Sequence, residues 1–182
     1  MIYMFLAEGF EEVEALCPLD LLRRAGLPVK TVGIGGKTIT GAHGITVIAD
    51  ITGDELLDRS PEMVILPGGM PGTLHLDDSP LVHRAIADAI ESEAYIAAIC
   101  AAPSILGKIG LLHGVEATCF PGFEESLEGA ILSKLPIVRD CKFITAKGMG
   151  VALPFGLLLV ECFKGKEFAQ ELKQAVISAD GV

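Results

Sequence analysis

The sequence predicts an α/β domain on a mainly parallel sheet with helices on both faces, and three observations carry that prediction. Short aliphatic runs recur along the chain, as in Met1–Ala7, Met63–Leu66 and Tyr95–Ile99. Segments of helical period lie between them, and strands alternating with helices favour parallel pairing. Aromatic residues make up only 5% of the chain, with no Trp, so Ile, Val, Leu and Ala must fill the core. Aliphatic strands of that kind suit a sheet covered on both sides.

Met1–Ala7 is predicted as a buried strand and Glu8-Gly9 as the turn after it. From Phe10 to Ala25, Val13, Leu16, Leu19 and Leu22 recur at helical spacing, and Gly26 supplies the stop. Pro28–Ile34 reads as a strand, and Lys37–Asp50 as a hairpin around Gly41–Gly44. Asp54–Arg59 is a short helix, Met63–Leu66 a buried strand closed by Pro67-Gly68-Gly69, and Ser79–Glu91 an amphipathic helix with Pro80 in its first turn. Tyr95–Ile99 is a strand, followed by Cys100 and a helix from about Ala102 to Ile109. Val115–Phe120 is strand-like, Pro121–Glu128 a loop or short helix, and Leu135–Thr145 a hairpin with Arg139-Asp140 near its tip. The Lys147–Gly150 loop precedes two helices, Ala152–Phe163 and Glu167–Ile177. With neither repeat nor linker, one domain over residues 1–182 is expected.

Composition narrows the function classes. The chain is 51% hydrophobic and 21% charged, which excludes an intrinsically disordered chain. Fourteen basic residues stand against 24 acidic ones, a net charge of -10. That balance lacks the basic footprint of nucleic-acid binding and suits an anionic membrane surface no better. No apolar stretch reaches the length of a membrane span, and the N-terminal run has no basic residues before it. A cytoplasmic protein is expected, with neither nucleic acid nor membrane as partner. Five scattered cysteines without a C-x-x-C pair argue against a disulfide framework and a zinc site.

Ligands of open α/β sheets bind beyond the carboxyl ends of the strands. Glu8–Glu14, Leu66–Gly69 and Ile99–Ala101 share that position, and Gly148–Gly150 can join them. Cys100 follows an apolar strand, precedes a helix and has small neighbours in Ala101 and Ala102, the pattern of a nucleophile elbow. A helix N-terminus beside it is expected to favour the thiolate. The competing reading is a buried cysteine acting as a small hydrophobe.

Glu14 lies at i, i+3 and i+7 with Cys17 and Leu21, which puts a carboxylate on an apolar face. Facing inward, it has a raised pKa and can hydrogen-bond a thiolate; at an exposed edge it points to water. Glu11 and Glu12 only complement the helix dipole in this reading. Gly68 and Gly69 offer backbone N–H groups for an oxyanion, or simply form a turn. The histidines show no metal-ligand spacing, and only His43, at the hairpin tip, is kept as a site neighbour. Cys17 is either a resolving thiol for Cys100 or packing, and Cys119 stands open in the same way.

These segments resemble the DJ-1/ThiJ/PfpI superfamily, in its DJ-1-like branch. The carrying residues are Ala7–Glu14 (AEGFEEVE), Leu22–Gly26 (LRRAG), Val64–Gly69 (VILPGG) and Ala97–Pro103 (AAICAAP), with weaker matches at Ile144–Gly150 and Gly165–Glu167. The resemblance implies a flavodoxin-like fold and a homodimer; neither a cofactor nor a metal is expected. It makes Cys100 the oxidation-prone nucleophile, Glu14 its protonated partner, and Gly69 and Ala101 the source of the oxyanion amides. It implies a glyoxalase III or deglycase acting on methylglyoxal, glyoxal or their adducts, or alternatively a redox-sensing chaperone whose Cys100 becomes a sulfinate.

The chain also departs from the family pattern. Ala101 stands where the protease-like branch has a His, which argues against protease activity. Phe120 precedes Pro121 where some relatives have a His, and His43 stands where some have an Arg at the dimer contact. Lys147-Gly148-Met149-Gly150 replaces Arg-Gly-Pro-Gly. A drier, less basic pocket is expected, suited to small uncharged carbonyl substrates.

Overall fold

In the computed structural model the described residues are 1–56 and 60–177. In chain order the elements are β1 (Ile2–Leu6), α1 (Glu12–Arg24), β2 (Val29–Gly33), β3 (Thr38–Thr40), β4 (Thr46–Ile48), β5 (Ile51–Thr52), β6 (Met63–Leu66), α2 (Gly72–Asp77), α3 (Pro80–Glu91), β7 (Tyr95–Ile99) and α4 (Pro103–Lys108). After them come β8 (Glu116–Ala117), β9 (Ile131–Leu132), β10 (Ile137–Asp140), β11 (Phe143–Ala146), α5 (Ala152–Lys164) and α6 (Lys166–Ala175).

Seven strands form the central sheet in the order β10-β11-β7-β6-β1-β2-β5. All neighbouring pairs are parallel except β10 with β11. Alternation along each strand divides the core into two apolar layers. From β1, Ile2, Met4 and Leu6 enter the layer beneath α1, α5 and α6, while Tyr3, Phe5 and Ala7 enter the layer beneath α3 and α4. The fold is therefore the single-domain α/β sandwich that the aliphatic strands predict. Strand order runs outward from β1 in both directions, so the crevice between β1 and β6 is the switch point where such sheets bind ligands.

Several expectations change. Val115–Phe120 supplies only the two-residue β8, paired with β9 apart from the main sheet; beyond it the Thr118 amide donates to the Thr145 side-chain hydroxyl (2.9 Å) rather than to a strand carbonyl. Asp54–Arg59 yields a 3-10 turn over Gly53–Glu55, and residues 57–59 lie outside the described residues. Helix α2 was not anticipated from the sequence, since Gly72, Thr73 and His75 give it little helical signal. Among the described residues no helix is long and apolar enough to cross a membrane.

Candidate active site

The carboxyl ends of β1, β6, β7 and β11 lie side by side, and the loops leaving them meet at Cys100. The elbow is real: Cys100 has φ +65°, a left-handed conformation that costs a non-glycine residue about 1 kcal/mol or more. Two hydrogen bonds hold it there. Its amide donates to the Ala146 carbonyl at the end of β11 (2.8 Å), and its carbonyl accepts from the Phe120 amide (2.8 Å). The small neighbours Ala101 and Ala102 are buried, as the tight turn requires.

Glu14 faces inward, with its side chain 1% exposed. One carboxylate oxygen, Oε2, accepts from the Gly68 amide at 3.0 Å, and the carboxyl is also bonded by the Met149 amide and paired with the Cys100 thiol. Gly68 therefore serves Glu14 rather than an oxyanion, a correction to the expectation that both glycines offer their amides to substrate. Its lack of a side chain is needed, because a Cβ there would stand 2.6 Å from both the Cys100 Cβ and Glu14 Oε2. The Gly69 and Ala101 amides do face the sulfur. Gly69 adopts φ +93°, which glycine alone takes without strain.

Electrostatics makes carboxyl and thiol one unit. Burial, aided by the charge of Glu11, pushes the Glu14 carboxyl up to about 7. Burial, then the charge and hydrogen bond of Glu14, push the Cys100 thiol up to about 12, against the pull of the Ala101 and Gly69 amides. The helix N-terminus does not lower it as expected: α4 is only six residues long, and desolvation beside an acid outweighs its dipole. Two coupled acids lose protons stepwise, and each step belongs to the pair. Between about 7 and about 12 the pair holds one proton. That proton rests on the thiol, and its transfer to Glu14 leaves a thiolate facing two amides.

Glu11 and Glu12 have more specific roles than dipole complements. Glu11 Oε2 caps α1 by accepting from the Glu14 amide (2.7 Å). Glu12, 3% exposed, accepts from the His43 and Ile45 amides (2.7 and 3.3 Å), and its other oxygen meets His43 Nδ1 at 2.8 Å. A buried carboxylate thus fastens the hairpin tip to the first turn of the helix that carries Glu14. Burial would raise the Glu12 carboxyl, but the His43 ring and these amides hold it below the usual range, and His43 is raised in turn.

Sequence spacing hid this association, since 31 residues separate His43 from Glu12. One ligand atom each from Glu11, Glu12 and His43 lie within 4.8 Å of one another, a grouping able to hold a cation that the spacing of the histidines did not reveal. The hydrogen bonds already account for its geometry.

Phe120 and Gly148 join the site. A Cβ on Gly148 would stand 3.3 Å from the Phe120 ring and 3.6 Å from Glu14 Oε1. His43 is engaged with Glu12 instead. Cys17 is half-buried in the apolar layer that Cys100 also touches, its thiol raised by burial and by Asp20. Cys119 packs in the opposite layer, pushed up to about 11 by burial and Glu124. All five cysteines are free. The Met149 amide was missed because backbone donors leave no trace in residue type.

The model of the DJ-1/PfpI family matches residues 1–162. The chain belongs to the DJ-1/PfpI family. Among its DJ-1 relatives, the Parkinson disease protein 7 homolog of Danio rerio is 32% identical over 182 residues, covering 97% of this chain and 96% of the relative. The glutathione-independent glyoxalase DJR-1.2 of Caenorhabditis elegans is 31% identical over 171 residues, covering 91% and 89%. The structure of oxidized DJ-1 from Toxoplasma gondii superposes with a TM-score of 0.93 at 28% identity, over 98% of each chain. The DJ-1/PfpI resemblance read from the sequence is thereby borne out, as is the fold.

Proposed function

We propose that this protein is a cysteine-dependent glyoxalase that needs no thiol cofactor and converts 2-oxoaldehydes such as methylglyoxal and glyoxal into 2-hydroxy acids. The observation that supports it is the Cys100 sulfur held between the buried Glu14 carboxyl, which hydrogen-bonds it, and the Gly69 and Ala101 amides. The Caenorhabditis elegans relative bears the name of a glutathione-independent glyoxalase.

In this reading the Cys100 thiolate adds to the aldehyde carbon. A C–S bond forms, and the carbonyl π pair moves to oxygen, held by the two amides and then protonated by Glu14. The Glu14 carboxylate next takes the proton from the former aldehyde carbon and returns it to the adjacent carbon, while the hydroxyl proton passes to the neighbouring oxygen, turning the hemithioacetal into a 2-hydroxy thioester. Water cleaves that thioester, releasing the 2-hydroxy acid and restoring the thiol. One water is consumed and no oxidant is needed. Early glycation adducts, which retain a hemithioacetal or aminocarbinol carbon, release the amine or thiol as leaving group, and the freed aldehyde enters the same route, a deglycase activity.

The reading is tested by lactate formation from methylglyoxal with wild type, Cys100→Ala and Glu14→Gln. Turnover that depends on both residues is expected; equal turnover in all three removes the proposal.

A second reading, a redox-sensing chaperone, is favoured by the same amides and by the oxidized state named for the Toxoplasma gondii relative. Two equivalents of peroxide take the thiolate to a sulfinate and yield two waters, with Glu14 and the amides receiving the new oxygens. Mass spectrometry after mild peroxide should find two added oxygens on Cys100 ahead of Cys141 and Cys162, with suppression of client aggregation depending on that change. Uniform oxidation of all five thiols contradicts it.

The partner we propose is a second copy of the chain. Val13 on α1 and Ile45 and Ile48 on the hairpin leave apolar side chains 44%, 53% and 75% exposed on adjoining elements that Glu12 ties together.

A further inference from the structure

We propose that the mouth over Cys100 is an apolar subsite in which Phe120, with Met70 and Met149, selects 2-oxoaldehydes bearing a bulky alkyl or aryl substituent over methylglyoxal and glyoxal. The inference rests on the glyoxalase reading and names its substrate class.

Three large apolar residues are tied through their backbones to atoms of the site. The Phe120 amide donates to the carbonyl of Cys100 itself, at 2.8 Å. Met70 directly follows Gly69, whose amide bonds the sulfur. The amide of Met149 bonds the Glu14 carboxyl. All three side chains are exposed, 47%, 47% and 54%, on the loops whose backbones make these contacts with the site. The Phe120 ring also has a fixed neighbour. A Cβ on Gly148 would stand 3.3 Å from it and 3.6 Å from Glu14 Oε1, so the glycine lets the ring lie beside the acid.

The charge of the adjoining loop is directed elsewhere, since Lys147 donates its Nζ to the Lys134 carbonyl at 2.8 Å. An aldehyde carbon bound at Sγ carries its second carbonyl and substituent outward past this rim. Glyoxal has nothing to place there and methylglyoxal only a methyl group. A branched alkyl or phenyl group covers the exposed rim and draws binding energy from it. Because that contact is remote from the reacting carbon and equal in ground and transition states, it acts on KM rather than kcat.

The test compares wild type with Phe120→Ala on methylglyoxal, 4-methyl-2-oxopentanal and phenylglyoxal. Comparing the same substrates across variants cancels their intrinsic reactivities. The kcat/KM ratio of phenylglyoxal to methylglyoxal is expected to fall about 3- to 10-fold in the variant, the weight of one aromatic contact, through a higher KM for phenylglyoxal. Met149→Gln should lower it in the same direction. A ratio that stays within about twofold, or that moves in kcat alone, overturns the inference.

If wild type turns over none of the three, the glyoxalase reading fails, and Cys100 alkylation still reads the rim. N-benzyliodoacetamide should outpace iodoacetamide by more in wild type than in Phe120→Ala. Equal preference in both proteins refutes the apolar subsite.

Discussion

Glu14→Gln isolates the energetic cost of placing a carboxyl beside a buried thiol. The carboxyl is raised from 4.5 to about 7 in the folded protein. The folded state therefore binds this proton more tightly than the unfolded chain does, and the contribution is fully present below pH 4.5. It is lost as pH rises through about 7, because ionisation is easy in the unfolded chain and opposed by burial in the folded one. At 1.36 kcal/mol per pKa unit, the loss between those limits is about 3 kcal/mol.

Glutamine has nearly the same shape, keeps an oxygen for the Gly68 amide, and cannot ionise. The variant should match wild type within about 1 kcal/mol near pH 4.5 and exceed it by up to about 3 kcal/mol at pH 8. For a chain of this size that is a Tm gain of roughly 6–12 °C. Urea denaturation at pH 4.5, 6, 7 and 8 measures it, repeated in Cys100→Ala to remove the coupled thiol. A stability difference that is constant across this range would refute the argument, since it would mean that Glu14 ionises in the fold as it does in the open chain.

The other predictions probe separate parts of the site. Cys100→Gly should be about 1 kcal/mol more stable than Cys100→Ala in urea denaturation, because glycine relieves the strain at φ +65° that alanine retains. Gly68→Ala should cost about 1–3 kcal/mol and slow Cys100 alkylation, since its Cβ would collide with Cys100 and Glu14; an unchanged alkylation rate would show that the contact is not tight. Glu12→Ala should speed hydrogen exchange at the His43 and Ile45 amides while leaving β6 and β7 protected, and those two amides should lose protection in wild type as pH falls through the lowered Glu12 pKa. Ile48→Glu should convert a particle of twice the 19.1 kDa chain mass into a monomer in sedimentation; an unchanged mass would locate the interface elsewhere.

The hairpin also carries a consequence for the site. Glu12 spends both of its oxygens on residues of the loop between β3 and β4, and the same turn of α1 positions Glu14. Movement of the exposed hairpin face is therefore connected to the acid through one helical turn. A partner seated on Ile45 and Ile48 would restrain that turn from outside.

The sequence by itself determined the fold class, most elements, and the two residues at the centre of the site. Those features are local. Aliphatic runs mark strands buried on both faces, a small-residue turn after β7 marks the elbow, and helical spacing puts Glu14 on an apolar stripe. Tertiary structure alone decided which amide serves which acid, that Gly68 holds Glu14 while Gly69 faces the sulfur, and that Met149 and Phe120 join the site from loops after β11 and β8. It also turned the expected fall of the Cys100 pKa into a rise. A helix dipole can be read from sequence order, but desolvation depends on what the fold packs around the sulfur, and here that includes a carboxylate 86 residues away in the chain.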